Sequence, residues 1–248
     1  MSIWGKILGG VGGFAVGGPL GALIGAVAGH AVDKLRADDG GGLGVGSGGE
    51  AQRKIAFTIG VIVLSAKMAK ADGHVTRDEI DAFKRVFQIP PSEMKNVGRL
   101  FDQARRDASG YEPYARQLSR MFRDNPLVLE ELLGGLFYIA RADGQVTDDE
   151  VEFLSDLAQI FGFTPDQWDR IRARNLPDDA SDPFRILGVT RDQTDAEIKA
   201  AHRKLVLENH PDKLIAQGVP EEFIEVANHK LAAINAAYDD IRKLRGFS

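Results

Sequence analysis

The sequence predicts an all-α protein: an N-terminal transmembrane helix, a helical bundle in the middle and a C-terminal helical hairpin. Three observations predict it. An uncharged, glycine-rich stretch opens the chain. Apolar residues through the middle recur at helical rather than strand spacing. Two amphipathic helical patterns close the chain around a His-Pro-Asp tripeptide. With 44% apolar and 27% charged residues, the chain can build a folded core. A net charge of −5 argues against nucleic acid as the main partner. The absence of cysteine removes disulfides, thiol chemistry and cysteine-ligated metal centres.

From Ile7 to Gly29 no charge occurs, and that length matches a bilayer-spanning helix of roughly 20 residues. Gly9, Gly13, Gly17, Gly21, Gly25 and Gly29 recur every four residues. On a helix they would line a groove for close approach of a second helix, which predicts self-association in lipid. Pro19 falls mid-segment, where lipid-embedded helices tolerate a kink. A cleaved signal or a peripheral segment is the alternative; only Lys6 precedes the run, and no clean small-x-small cleavage site stands before the next domain. Lys34, Arg36, Arg53 and Lys54 follow the span, so the positive-inside tendency puts the C-terminal side in the cytoplasm. Residues 1–36 thus read as an anchor, and Gly-rich residues 37–50 as a flexible tether.

Residues 51–174 carry about seven helical segments, with Pro90, Pro91, Pro113, Pro126 and Pro165 at first turns or breaks. Within them AKADGHVTRDEI (Ala69–Ile80) returns as ARADGQVTDDEV (Ala140–Val151), a helix-loop-helix corner used twice. Read as calcium loops, Asp72, Gly73 and Glu79, with Asp143, Gly144 and Glu150, fall in register. The first and third loop positions, which should offer oxygen, hold Met68 and Lys70, then Ile139 and Arg141. A structural reading accounts for the same residues: Gly73 and Gly144 end a helix. Thr76-x-x-Glu79 and Thr147-x-x-Glu150 are capping boxes, with Val75 and Val146 placed as hydrophobic staples. Asp72, Glu79, Asp143 and Glu150 stay as weak metal candidates beside that reading. The corner pair resembles the tellurite-resistance TerB-like fold, which implies an interaction or sensing role.

After a polar linker (175–181), residues 182–248 read as short helix, long helix, loop, long helix. Thr194-x-x-Glu197 is a capping box that opens the second helix. Its apolar face is Ile198, Ala201, Leu205 and Val206. The third helix answers with Phe223, Val226, Ala227, Leu231, Ile234, Ala237, Tyr238 and Ile241, predicting an antiparallel hairpin closed by Phe184 and Leu187. His210-Pro211-Asp212 falls between the two long helices, with LGV upstream, RKL on the preceding helix and INAAY after it. This segment resembles the J-domain family. Pro211 stiffens the backbone, and Lys199, Arg203, Lys204 and Lys213 form a basic patch suited to steering an acidic surface. The resemblance implies that His210, Pro211, Asp212 and this patch engage a DnaK-type chaperone and stimulate its ATP hydrolysis, the chain itself being no enzyme. His202 and Asn209 depart from the tyrosine common there, and Glu208 dilutes the basic face.

The order of anchor, TerB-like domain and J-domain, with WGKILG, GHAVDK and HPDKLIAQGVP, resembles the DjlA family of bacterial membrane-anchored DnaJ-like proteins. That resemblance implies a single pass through the inner membrane, a cytoplasmic bulk, and a homodimer through the glycine ladder. No cofactor is expected. The rival reading is a metal-responsive or structural membrane scaffold.

Overall fold

In a computed structural model, the residues described are 17–28, 49–71, 76–87, 89–107, 110–144, 146–176 and 182–247. They form twelve α-helices and no strand. These are α1 (Gly18–Ala28), α2 (Gly49–Ala71), α3 (Arg77–Phe87), α4 (Met94–Arg106), α5 (Glu112–Met121) and α6 (Pro126–Ala140). They continue as α7 (Asp148–Phe161), α8 (Pro165–Asn175), α9 (Pro183–Leu187), α10 (Asp195–Glu208), α11 (Pro211–Ala216) and α12 (Ile224–Arg245).

The bundle is organised around α2. Every residue from Ile55 to Met68 is buried, as expected of a helix that is apolar on all sides. Helices α4, α5, α6 and α7 pack against it. Gly60 lets α5 come close, since a Cβ there would stand 2.7 Å from Leu118. Lys67 is the one charged residue in that stretch, and its Nζ donates to the backbone and side-chain oxygens of Asp107, both at 3.1 Å. A buried cation persists when it is paired and hydrogen-bonded in this way.

Proline placement follows the sequence: Pro113, Pro126 and Pro165 stand in first turns, where no donor is lost. Pro90 and Pro91 lie between α3 and α4. Both repeated corners carry their capping boxes. Glu79 Oε2 accepts from Thr76 N at 2.7 Å, and Glu150 Oε2 from Thr147 N at 2.8 Å. Gly144 holds a left-handed φ of 90°.

Of the amino-terminal segment only residues 17–28 are described; there a helix opens at Gly18, and Gly17 and Gly18 hold φ of 60° and 59°. Pro19 therefore occupies a first turn and causes no kink. Leu20 and Leu23 enter the bundle core, and α1 packs on α4 and α5. The buried side-chain amide of Gln117 accepts from Leu20 N–H at 3.0 Å and donates to the Gly17 carbonyl at 2.9 Å. Among the described residues no helix is long and apolar enough to cross a bilayer. Of the glycine ladder, Gly17, Gly21 and Gly25 are described; Gly9, Gly13 and Gly29 lie outside the described residues.

The C-terminal hairpin is built as anticipated at one end only. Phe184, Ile186, Leu187, Val189, Ile198, Ile234, Ala237 and Ile241 form a second, small core together with Ala173 of α8, flanked by Ala201, Leu205, Val206 and Tyr238. Phe223, Val226 and Ala227 were expected to face α10; instead they join the core of the bundle, together with Leu214 and Val219. Helical spacing shows that these residues are buried, but not which apolar surface covers them.

Candidate functional site

His210-Pro211-Asp212 opens a short helix rather than lying in a loop. His210 is the N-cap, with extended backbone, and Pro211 fills the first helical position. Proline is pre-set for that place by its fixed φ and missing donor. The Asp212 N–H donates to His210 Nδ1 at 3.2 Å, so the imidazole does the work usually done by a capping serine or aspartate. With Nδ1 accepting, a neutral ring carries its proton on Nε2, leaving that N–H available to a partner. The Asp212 carboxylate lies 3.7 Å from Nδ1, beyond hydrogen-bond range, and its side chain is 90% exposed. The tripeptide is thus a rigid turn holding one donor and one carboxylate in water.

The helix before it is unusually bare: Ile198 is its one buried residue. It begins with the anticipated capping box, in which Thr194 N donates to Glu197 Oε2 at 2.7 Å. Its middle is tied to α12 by His202, which stacks on Tyr238 at 4.0 Å and meets Asn235 Oδ1 at 2.8 Å. The histidine at this place therefore serves as an interhelical link. Asn209 is buried beside the tripeptide, donating from Nδ2 to the Leu205 carbonyl at 2.8 Å. Arg245 ties the end of α12 to the start of α10 through Gln193 O and Asp195.

Lys199, Arg203, Lys204 and Lys213 are all exposed. Glu208 is 3.9 Å from Lys204, so it offsets one charge of the patch and leaves the rest unchanged. Steps of four set Lys199, Arg203 and Leu207 along one ridge that ends at His210. Leu207 was missed in the sequence, although it falls outside the stripe of Ile198, Ala201 and Leu205. It is 58% exposed, a large apolar side chain in water between cations and the tripeptide.

Of the corner residues weighed as metal ligands, Glu79 and Glu150 are engaged in their capping boxes. Glu79 Oε2 also accepts from Thr76 Oγ1 at 3.0 Å, and Glu150 Oε2 from Thr147 Oγ1 at 3.1 Å. Asp143 is exposed, and Asp72 lies outside the described residues. Among the described residues no three His, Asp or Glu side chains are grouped to hold a metal ion.

A helical hairpin with this tripeptide at the start of a capped turn and a bare basic helix before it defines a J-domain protein. Comparison agrees: residues 182–242 match the DnaJ domain, 58–173 match the tellurite resistance protein TerB, and 1–52 match the co-chaperone DjlA transmembrane domain. The chain is 31% identical to co-chaperone protein DjlA of Photobacterium profundum, over 99% of this chain and 100% of that one. It is 33% identical to that of Shewanella oneidensis over 99% of both chains, and 29% identical to that of Coxiella burnetii over 97% of both. The chain belongs to the DjlA family of membrane-anchored J-domain co-chaperones. No solved structure matches it significantly.

Proposed function

We propose that this protein stimulates ATP hydrolysis by a DnaK-type chaperone, which docks on His210, Pro211 and Asp212 and on the cations Lys199, Arg203, Lys204 and Lys213. The observation that carries this reading is the exposed, internally capped His210-Pro211-Asp212 turn at the end of a basic ridge. The cations steer an acidic surface and orient it; the turn then offers Nε2–H and a carboxylate at fixed spacing. The protein is an activator, and the ATPase chemistry belongs to its partner.

In this reading residues 1–36 hold the protein in a bacterial inner membrane by one pass, with residues 51–174 and 182–248 in the cytoplasm. A continuous glycine ladder, and the homodimer it would build, require Gly17 and Gly18 to give up their left-handed backbone and Leu20 and Leu23 to leave the bundle.

The test is single-turnover ATP hydrolysis by a DnaK-type chaperone with the full chain in detergent micelles. Stimulation should appear with the parent and vanish with His210→Gln at unchanged melting temperature. Equal stimulation by both would remove the assigned contact. No stimulation by a folded parent would move the reading to a membrane scaffold.

A further inference from the structure

The tripeptide helix is held by the wrong domain for an autonomous J-domain. Leu214 on α11, Val219 after it and Phe223 before α12 are all buried in the core of the TerB-like bundle. The Phe223 ring sits edge-on to Phe57 at 4.7 Å and to Phe87 at 5.4 Å. The bundle keeps room for it with a glycine: a Cβ on Gly135 would stand 2.6 Å from the Phe223 ring. At Gly218, just beyond α11, the chain passes against Arg53 of α2.

A second tie lies about two helical turns further along α12. Lys230 is buried, with Nζ 2.6 Å from Glu131 Oε1 and 2.7 Å from Glu130 Oε1, both on α6. Arg174 on α8 meets Glu130 at 3.2 Å and donates to the Ile186 carbonyl at 2.8 Å. Two acids and two cations are thus balanced out of water, bridging both domains. A surface lysine on a solvated helix has no need of such partners; this one has been taken into the seam.

We propose that Phe223 and Lys230 are positioning residues for chaperone stimulation: the TerB-like bundle holds the His-Pro-Asp helix in its working orientation against α10. This rests on the chaperone-activating reading given above. Without the bundle, α11 and the first turns of α12 lose the surfaces that bury them, while the small core of Phe184, Ile198 and Ile241 loses only Ala173 of α8 among its buried members. The hairpin would survive, but its tripeptide would no longer keep its place relative to the basic ridge.

The cluster supplies a clean pair of variants. Lys230→Met strands two buried carboxylates on one cation, whereas Glu131→Leu with Lys230→Met leaves Glu130 and Arg174 as a balanced pair. The full chain in detergent micelles would be followed by hydrogen exchange and by titrated stimulation of a DnaK-type chaperone. In Lys230→Met, exchange over residues 211–231 should rise at least tenfold, with 184–198 unchanged. The concentration for half-maximal stimulation should rise at least fivefold, with the maximum within twofold of the parent. The double variant should restore both. If Lys230→Met fails to fold, Phe223→Leu carries the same comparison with no buried charge. Faster exchange with an unchanged half-maximal concentration overturns the proposal, as does unchanged exchange. A parent that stimulates nothing refutes the chaperone reading instead.

Discussion

Replacing Phe223 by alanine tests how firmly the two domains share a core. The side chain is fully buried, and its ring meets two others at 88° and 78°. Truncation removes roughly 120 Å² of buried apolar surface, about 3 kcal/mol at ~25 cal/mol per Å². Each lost edge-to-face contact adds about 0.5–1.5 kcal/mol. Partial collapse of the cavity recovers some of this, so a loss of about 3–5 kcal/mol is expected, the usual range for a buried phenylalanine. For a chain of this size about 2–4 °C of melting temperature goes with each kcal/mol. The midpoint should therefore fall by ~6–20 °C. Far-ultraviolet circular dichroism would follow all helices, and Trp168 fluorescence the bundle, where this ring stacks on Phe137. The parent should melt with both probes coincident. In Phe223→Ala the dichroism should lose amplitude before the tryptophan signal changes, because α11 and the start of α12 come free first. A loss under about 1 kcal/mol with coincident probes would refute a shared core.

Two further outcomes are expected. Leu207→Ala should weaken chaperone docking by about 1–2 kcal/mol, or roughly 5–30-fold, as for an apolar anchor at the centre of an interface. Its melting temperature should stay within about 2 °C, since the side chain is mostly in water; unchanged docking in a binding titration would exclude Leu207 from the contact. The second concerns pH. Burial pushes the Glu130 carboxyl up, but Lys230 and then Arg174 outweigh it and hold it below its ordinary value. Burial pushes Lys230 down, but Glu130 and Glu131 outweigh that and raise it. A depressed acid stabilises above its unfolded value and loses that contribution as pH falls through its folded one; the raised lysine loses its share only as pH climbs past its ordinary ~10.4. The stability gap between parent and Lys230→Met should therefore be flat near neutrality and narrow below about pH 4. A constant gap down to pH 3 in urea titrations would contradict this.

Local features were legible because local chemistry decides them. The capping boxes at Thr76, Thr147 and Thr194 are all formed. Gly144 is left-handed, and the prolines open helices or separate them. The box Thr164-x-x-Gln167 obeys the same rule and could have been read from the sequence. The tripeptide was visible, but not its helix, since an imidazole is an uncommon N-cap and carries little weight in pattern reading. What spacing could not show was partnership. Phe223 and Val226 continue the apolar stripe of Ile234 and Ile241 without a break, yet the stripe divides between two cores. Lys230 falls on that stripe, four residues from Val226 and from Ile234, and the pair Glu130-Glu131 inside PLVLEELLGGLFYIA puts two acids in an otherwise apolar helix; together they were the hint. In the described part of the amino-terminal segment the ladder's periodicity left one local feature unread: glycines that suit a groove between helices equally permit the left-handed step at Gly17 and Gly18.

The bridge between Lys230 and Glu131 closes across 99 residues of chain. A ribosome releases the bundle long before it releases α12, and domains made early fold early. Until residue 230 emerges, the Glu130-Glu131 pair must stay hydrated or find other company, and the space beside Gly135 stays empty. The newborn protein thus passes through a stage with its bundle largely built, while the His210-Pro211-Asp212 turn is still unseated. Seating of that turn waits for residue 230, so it follows the bundle in time.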